Sequence, residues 1–317
     1  MLSSEHFTWT IAHRDTAHDG HERNEQMSIT TSEILSQPEV WTRSSADLAQ
    51  ARSIFGRPGE STLFLGCGTS EFISESLAVL RERSGNGQSD AQYASEWTPT
   101  RHYDRVVAIS RSGTTSEILD ALQQVPAGVT KVAITGVAAA PIHEFVDDAL
   151  VLEYADERSV VQTRFPTTVL NLGRAVFGQD TAGLAEQCAA ALLEDVPEID
   201  DVDHFVYLGS SWTYGLAQEA ALKIREAAQA WSESYPVLDY RHGPIAVAHP
   251  GSLVWIFGQA GASLVDDIRE TGAQVHTSSL DPVVQLVQAQ RLAVKVAESR
   301  GLDADVPRHL SRSVILR

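Results

Sequence analysis

The sequence of 317 residues has only two cysteines, and its 24 Lys and Arg residues are outnumbered by 42 Asp and Glu residues. Two cysteines exclude a disulfide framework and a four-cysteine zinc site, and they are typical of a cytoplasmic protein. The net charge of −18 repels phosphate backbones and anionic headgroups, so neither nucleic acid nor a membrane surface is an expected partner. No apolar run reaches about 18 residues, and no basic segment precedes an apolar one near the N-terminus. Neither a transmembrane helix nor a signal peptide is therefore predicted.

Hydrophobic residues make up 43% of the chain, which is enough for about two core-forming units. Residues 1–26 differ from the rest, because they are polar and show no apolar period. We expect this segment to be a disordered tail that precedes the natural start at Met27, with N-terminal helices over residues 27–60. The alternative is metal binding by the four histidines of the tail, His6, His13, His18 and His21.

From residue 61 onward, short apolar segments alternate with segments of helical period. Strands are predicted at residues 61–65, 91–94, 104–109, 130–135 and 149–152, and again at 204–208, 253–257 and 274–277. This alternation predicts parallel sheets built from βαβ units. A strand that ends in Leu-Gly and small polar residues occurs at 65–70 and at 208–211, which indicates a duplicated unit divided near residues 194–203.

Two strand-to-helix turns in the first unit are rich in hydroxyl groups. Small side chains at a helix N-terminus leave N–H donors free for an anion, so the two turns together predict a phosphate site. The alternative for each single turn is that Ser and Thr only cap the helix. A dinucleotide site is not expected, since Glu71 replaces the last glycine of G-x-G-x-x-G, and a P-loop is absent. The hydroxyl residues of the two turns are Ser70, Ser110, Ser112, Thr114 and Thr115.

A predicted helix over residues 213–230 places Glu219, Lys223 and Glu226 on one face. If the face is buried, a carboxylate beside a lysine suits a general base, whereas an exposed face would be a weak solvated stripe. His242 follows in a His-Gly-Pro turn, where it is either catalytic or structural.

Four segments occur in one order: CGTS at 67–70, SRSGTT at 110–115, E-x-x-x-K-x-x-E at 219–226 and HGP at 242–244. Together they resemble the sugar isomerase (SIS) domain family over about residues 30–317. The similarity is greatest to the isomerase half of glucosamine-6-phosphate synthase, and it extends to stand-alone aminosugar-phosphate deaminases and isomerases. The resemblance implies an α/β fold with two flavodoxin-like SIS subdomains, at 61–195 and 196–317, each a parallel sheet flanked by helices. It also implies a C-terminal tail that closes the site and a homodimer or higher homo-oligomer.

The resemblance also implies residue roles. Glu226 corresponds to the glutamate that moves a proton between C1 and C2, Lys223 accompanies it, and His242 helps to open the sugar ring, lent by a neighbouring subunit. Neither a cofactor nor a metal ion is expected. Arg replaces Gln at position 111 and Lys at position 312, and Gln replaces Ser at position 162. The implied substrate-binding residues are Thr69, Ser70, Ser110, Arg111, Ser112, Thr115, Val160, Gln162, Glu219 and Arg312.

The few residues before the first strand leave no room for the glutaminase half of the synthase, so glutamine-dependent amide transfer is not expected. Residues 157–164 are more similar to catabolic relatives. The leading hypothesis is an isomerising deaminase that converts an aminohexose 6-phosphate to a ketose 6-phosphate and ammonia through an enediol or enolamine. The alternatives are a plain aldose–ketose isomerase and a fructosamine-6-phosphate deglycase. An alternative of another class is a non-catalytic sugar-phosphate sensor, which the presence of Glu226 and His242 disfavours.

Overall fold

The structure is a computed structural model that describes residues 27–316. The tail predicted at residues 1–26, with its four histidines, lies outside the described residues. The described part of the chain begins with three short helices, α1 (Ile29–Leu35), α2 (Gln37–Ser44) and α3 (Leu48–Ile54). The hydrogen bonds from the backbone N–H groups of Ile29 and Thr30 to the Asp305 carboxylate, at 2.7 and 2.8 Å, join these helices to the C-terminal region.

The first sheet has five parallel strands in the order β2-β1-β3-β4-β5. This is the flavodoxin-like order, in which the strand sequence reverses direction between β1 and β3. The central strands β1 and β3 are buried along their whole length, which explains why they are continuous apolar runs in the sequence. The elements are β1 (Thr62–Gly66), α4 (Thr69–Arg83), β2 (Ser89–Tyr93), β3 (Arg105–Ile109), α5 (Ser116–Gln124), β4 (Thr130–Thr135) and β5 (Asp148–Val151), followed by α6 (Arg164–Val176) and α7 (Leu184–Ala191).

The second sheet has four parallel strands in the order β7-β6-β8-β9, which repeats the first four positions of the first sheet. The prediction of an α/β fold with two parallel sheets flanked by helices is thus confirmed. The subdomain limits at 61–195 and 196–317 stay a prediction. The elements are β6 (His204–Gly209), α8 (Thr213–Ala228), β7 (Trp231–Pro236), β8 (Ser252–Ile256), α9 (Ala262–Glu270), β9 (Gln274–Thr277) and α10 (Pro282–Ser299).

The sequence prediction missed β7 and α7. Strand β7 reads WSESYP and lies at the sheet edge, where only Ser232 is buried, so it has no apolar run to reveal it. Helix α7 lies in a stretch from which no element was predicted, although it buries Leu184, Cys188 and Ala191. The N-terminal region contains three helices, because Pro38 begins a separate helix after Ser36.

One face of each sheet meets a shared core that contains α4, α6, α8 and α10. Phe64 and Phe205 belong to this core, whereas the neighbouring Leu63 and Val206 face the opposite sides of their sheets, under α5 and α9. This alternation follows from the period of two along a strand. Gly215 allows α4 and α8 to pack closely, since a Cβ there would lie 2.2 Å from the Phe72 carbonyl oxygen. Among the described residues, no helix is long and apolar enough to cross a membrane.

Candidate functional site

The two hydroxyl-rich turns lie side by side, because β1 and β3 are neighbouring parallel strands and both turns leave their carboxyl ends. This is the point where the strand order reverses, which is where open α/β sheets bind ligands. Gly66 makes the first turn tight, since a Cβ there would lie 2.3 Å from the Glu71 backbone nitrogen. Gly113 makes the second possible with a left-handed φ of +63°.

The turns enclose a small cavity of about 30 Å³, close to the volume of one water molecule. Burial raises the pKa of the Cys67 thiol in its wall to about 12, so that thiol is neutral and not a nucleophile. Seven of the ten predicted substrate-binding residues line the cavity. They are Ser70, Ser110, Arg111, Ser112, Thr115, Gln162 and Arg312.

The hydroxyl groups in these turns do not act as helix caps. Gly68 occupies the N-cap of α4, and Ser70 lies inside the helix. Thr115 is the N-cap of α5, but its side chain makes no capping hydrogen bond. Ser110 and Ser112 instead accept hydrogen bonds from backbone N–H groups within their own turn, at 3.1 and 3.3 Å. The capping alternative therefore fails in the first subdomain.

The C-terminal segment lies against the second turn. The Ser313 hydroxyl is 3.2 Å from the Ser112 hydroxyl and 2.8 Å from the Thr114 hydroxyl. The Val314 carbonyl accepts from the Ser116 N–H at 3.2 Å, and the Arg312 side chain donates to the Glu157 carbonyl at 3.0 Å. Hydroxyl groups that face the cavity are thus engaged by the tail.

Arg111 lines the cavity, and two of its three guanidinium nitrogens are already engaged, whereas the buried Nε has no hydrogen-bond partner among the described residues. The side chain donates to the backbone carbonyls of Ser159 and Arg312, both at 2.8 Å, and only 2% of the residue is exposed. Its Nη1 atom is also 3.9 Å from the buried carboxylate of Glu157. Glu157 therefore partly offsets the positive charge of Arg111, and two carbonyls fix the position of its guanidinium. The role of Arg111 as a phosphate ligand stays a prediction.

The loop at residues 157–163 is held by two buried glutamates whose positions the sequence analysis did not predict. Glu157 accepts from the Thr163 N–H at 2.5 Å and from the Arg164 N–H at 2.8 Å, which places a carboxylate at the N-terminus of α6. Glu33 of α1 accepts from the Arg158 N–H at 2.6 Å. The Glu157 contacts are local, whereas the Glu33 contact joins segments that are 125 residues apart in the sequence.

The same loop carries two of the predicted sugar contacts, and the structure separates them. Gln162 lines the cavity, and its buried Oε1 has no hydrogen-bond partner among the described residues. Val160 is half-buried and does not line the cavity. Of this pair, only Gln162 is placed to meet a ligand in the cavity.

The charged face of α8 is buried, so it is not a solvated stripe. Lys223 is 1% exposed, and its Nζ lies 2.6 Å from Glu226 and 3.3 Å from Glu219. The same Nζ donates to the Thr69 hydroxyl at 3.1 Å. Because Thr69 opens α4 beside Ser70, this contact joins the hydroxyl-rich turns of the first subdomain to the carboxylates of the second.

The two carboxylates of this cluster differ in access to solvent. Glu219 is fully buried, and burial raises its pKa to about 7. The side chain of Glu226 is 18% exposed. Burial by itself lowers the pKa of Lys223, but the two carboxylates outweigh burial and raise it. Only Glu226 is therefore open to a ligand from solvent, and it stands beside a fixed positive charge.

His242 is not brought to this cluster. It ends the short 3-10 turn Asp239–His242 that follows β7, and it is exposed. Its ring makes no hydrogen bond or ion pair with any described residue, and it does not line the cavity at the two turns. The structure of a single chain thus unites every predicted catalytic residue except this histidine.

Comparison with known proteins places these features in a family. The model of the SIS domain matches residues 57–172. The isomerizing glutamine–fructose-6-phosphate aminotransferase of Bradyrhizobium diazoefficiens is 27% identical, over 78% of this chain and 50% of that protein. The protein of the same name from Pyrobaculum aerophilum is 26% identical, over 89% and 56%. The chain spans about half the length of the curated relatives it matches.

Solved structures agree over nearly the whole chain. A glucosamine-6-phosphate deaminase of Thermotoga maritima is 27% identical with a TM-score of 0.79, over 91% of this chain and 100% of that one. The fold also matches a tagatose-6-phosphate ketose/aldose isomerase from Escherichia coli, with 20% identity and a TM-score of 0.73, over 92% and 96%. The resemblance read from the sequence is therefore confirmed, and residues 57–172 are the part of the chain that matches the SIS domain model.

Proposed function

We propose that the protein is an isomerising deaminase that converts an aminohexose 6-phosphate and water to a ketose 6-phosphate and ammonia. The observation that carries this proposal is the hydrogen bond from Lys223 to Thr69, which joins an anion-binding turn to a proton-transfer cluster. Similarity to a protein described as a glucosamine-6-phosphate deaminase, at 27% identity over 91% of this chain, supports the choice of substrate class.

The phosphate binds in the cavity between the two turns. Hydroxyl donors and the positive ends of α4 and α5 suit a dianion, even in a chain with a net charge of −18. Because the cavity holds only about 30 Å³, the Ser313 hydroxyl leaves Ser112 and Thr114 when the phosphate enters. Arg312 and Gln162 then close the site from the side of the tail and the loop.

Glu226 is the proton-transfer group. In the open-chain aldehyde form of the sugar, its carboxylate removes the proton from C2, and the electron pair moves to form an enolamine. Return of that proton to C1 gives a ketose imine, which water hydrolyses to the ketose and ammonia. Lys223 forms an ion pair with Glu226 at 2.6 Å and holds it in place, whereas Glu219 is too buried to touch the sugar and acts by positioning Lys223.

Ring opening needs a second acid–base group, for which the resemblance indicates His242. Since this residue is exposed and makes no hydrogen bond or ion pair with the α8 cluster, we propose a homodimer in which the partner subunit's His242 completes the site. Mixing two inactive variants, Glu226→Gln and His242→Ala, tests this directly. Recovery of activity in the mixed dimers is expected, and its absence contradicts the shared site.

The decisive experiment is an assay of ammonia and ketose release from glucosamine 6-phosphate and galactosamine 6-phosphate. We expect Glu226→Gln to lower kcat by about 10³-fold or more while phosphosugar binding persists, because only the proton carrier is removed. Glu198→Gln, at an exposed carboxylate, is the matched control and keeps full activity.

Other outcomes identify the alternatives. Interconversion of aldose and ketose 6-phosphates without ammonia indicates a plain isomerase, and release of an amino acid from a fructosamine 6-phosphate indicates a deglycase. Binding without any turnover indicates a sensor. Full activity of Glu226→Gln shows that another residue is the base.

A further inference from the structure

The side chain of Arg111 joins segments that are distant in the sequence. Its Nη1 atom donates to the Ser159 carbonyl in the loop at 157–163, and its Nη2 atom donates to the Arg312 carbonyl in the C-terminal segment, both at 2.8 Å. The backbone of Arg111 is itself held, because its carbonyl accepts from the Gly136 N–H at 2.9 Å just after β4. A fixed arginine in the second turn therefore bonds both the loop and the C-terminal segment.

The C-terminal segment, residues 308–316, depends on hydrogen bonds to stay in place. It forms no helix or strand, and its large apolar side chains are exposed, so apolar burial contributes little to holding it. The bond from Arg111 has a charged and almost fully buried donor, whereas Ser313 is half-buried and the Arg312 side chain is 37% exposed. Because hydrogen bonds from charged groups are stronger when shielded from water, we expect Arg111 to provide the strongest attachment. The exposed apolar residues are Leu310, Val314, Ile315 and Leu316.

Arg312 joins the same two segments from the other side. Its Nε atom donates to the Glu157 carbonyl at 3.0 Å, and its Nη2 atom pairs with the Asp156 carboxylate. The loop and the C-terminal segment are therefore cross-linked by two guanidinium groups. Since Gln162 and Arg312 both line the anion cavity, the cross-linked segments carry side chains that the proposed function places beside the phosphate.

The guanidinium of Arg111 is directed at the protein rather than at the cavity. Two of its nitrogens donate to carbonyls, the third is buried, and Glu157 lies 3.9 Å from Nη1. Two carbonyls at fixed positions suit the planar fork of a guanidinium, which the single ammonium of a lysine does not reproduce. This geometry favours attachment of the two segments over direct contact with an anion.

We propose that Arg111 is a positioning residue, which clamps the C-terminal segment to the loop at 157–163 and so holds Arg312 and Gln162 over the anion cavity. When a phosphate displaces the Ser313 hydroxyl, the bond from Arg111 to the Arg312 carbonyl keeps the segment at the site. The use of the clamp rests on the proposed function, since the clamp serves to retain a phosphosugar. The clamp itself is a property of the ligand-free protein and is measured without turnover.

The first test is Arg111→Lys, which keeps a positive charge beside Glu157 but lacks the fork that reaches two carbonyls. The measurement is the rate at which trypsin cleaves after residue 312 in the ligand-free full chain, monitored by the mass of the released peptide 313–317. This rate tracks the population in which the segment is detached. We expect cleavage to be about tenfold faster or more than in the native chain, since a charged hydrogen bond is lost.

Arg308→Lys is the matched control, because this arginine lies in the same segment, is exposed and makes no hydrogen bond or ion pair with any described residue. It should leave the rate of cleavage after residue 312 unchanged. A native Tm shows that Arg111→Lys is folded. A native cleavage rate in Arg111→Lys overturns the proposal.

Arg312→Lys is a second variant, which loosens the same contact from the exposed side and keeps a trypsin site. Each rate is divided by that of a free peptide with the same sequence. The double variant should be cleaved no more than about threefold faster than the more affected single variant, because one change already detaches the segment. If the two effects multiply, Arg111 and Arg312 act separately and the proposal is wrong.

Kinetics separate a clamp from a general structural role. On a phosphosugar that the enzyme turns over, Arg111→Lys should raise KM about tenfold and keep kcat within about threefold, since the clamp acts on substrate retention and not on proton transfer. A lower kcat with native KM indicates a smaller active fraction and contradicts the clamp. Faster tryptic cleavage of Arg111→Lys in a chain that turns over no aminohexose 6-phosphate supports the clamp and contradicts the proposed function, whereas turnover with a native cleavage rate does the reverse.

Discussion

The two halves of the molecule share one strand-to-helix junction. Strand β1 ends at Gly66 and β6 ends at Gly209, and a Cβ at either position would collide with the first turn of the following helix. The closest atoms would be the Glu71 nitrogen at 2.3 Å and the Thr213 carbonyl oxygen at 2.2 Å. In both halves the absence of a side chain is therefore what allows the helix to start directly above the strand end.

The chemistry at these two junctions differs. In the second half, the Thr213 hydroxyl accepts from the Ser210 N–H at 2.9 Å, and Ser210 and Ser211 are exposed. The Thr213 hydroxyl thus closes this turn on itself, and the N-cap residue Trp212 makes no side-chain capping hydrogen bond. In the first half, Ser70 is buried and lines the cavity beside the second turn. The proposed anion site thus lies in the first half, and the second half contributes the charged face of α8.

The largest expected effect comes from breaking the link between the halves with Lys223→Met. This variant leaves Glu219 buried without its cation, and removal of one partner of a buried pair costs about 3–5 kcal/mol. The loss of unfolding free energy in urea should be larger at pH 8 than at pH 5, since Glu219 is protonated at low pH and carries no charge. Lys295→Met, in an exposed pair with Glu198, is the control and should change stability by less than about 1 kcal/mol. Equal effects of the two variants contradict the role of the buried pair.

The second effect comes from separating the helices with Gly215→Ala. The added Cβ would lie 2.2 Å from the Phe72 carbonyl oxygen and 2.3 Å from the Ser76 hydroxyl, so α4 and α8 must move apart. We expect a loss of about 2–3 kcal/mol, together with lower activity because the contact between Lys223 and Thr69 lengthens. Gly261→Ala is the matched control, with a φ of −63° and no atom within 4 Å of the new Cβ. Wild-type stability of Gly215→Ala shows that the helices do not pack this closely.

The third prediction concerns Glu71, which lies five residues after Gly66. Tyr214 has the equivalent position in the second half, five residues after Gly209. Burial, and secondarily the charge of Glu75, raise the pKa of Glu71 to about 9 from an ordinary value of 4.5. Between these two values the folded state holds a proton that the unfolded state releases, so stability falls as pH rises through this range. Glu71→Gln should therefore stabilise the protein by about 1 kcal/mol or more at pH 8 and by much less at pH 5.

The control for Glu71 is Glu270→Gln, at an exposed position on α9. Unfolding free energies measured in urea at pH 5, 6.5 and 8 give the comparison. If Glu71→Gln raises the unfolding free energy by the same amount at pH 8 and at pH 5, then Glu71 ionises normally in the folded protein.

The parts of the fold that were predictable are those whose pattern is local. The central strands β1, β3 and β6 are fully buried, and they read as short apolar runs followed by glycine or small polar residues. The helical period was enough to place Glu219, Lys223 and Glu226 on one face. The edge strand β7 was not predictable, because an exposed edge requires no apolar pattern.

The parts of the site that escaped prediction depend on tertiary contacts. Glu33 and Ser159 are 126 residues apart, and no sequence period connects α1 to the loop that it holds. Arg111 was predicted as a substrate-binding residue from its turn alone, but the two carbonyls that accept from its guanidinium belong to distant segments of the chain. The role of His242 stays a prediction, since a single chain leaves that residue exposed.

The smallest effect concerns how the two equivalent helices end. Helix α4 is followed by Gly85 with a φ of +77°, whereas α8 ends at Gln229 with a φ of +49°, a left-handed conformation that is unfavourable for a residue with a Cβ. Gln229→Gly should therefore raise the unfolding free energy by about 0.5–1 kcal/mol, and Gly85→Ala should lower it by a similar amount. Both positions have exposed surroundings, since a Cβ at Gly85 meets no atom within 4 Å and Gln229 is exposed. If Gln229→Gly raises the unfolding free energy in urea and Gly85→Ala lowers it, backbone conformation alone sets the difference between the two helix ends. If Gln229→Gly lowers the unfolding free energy, the Gln229 side chain stabilises the end of α8.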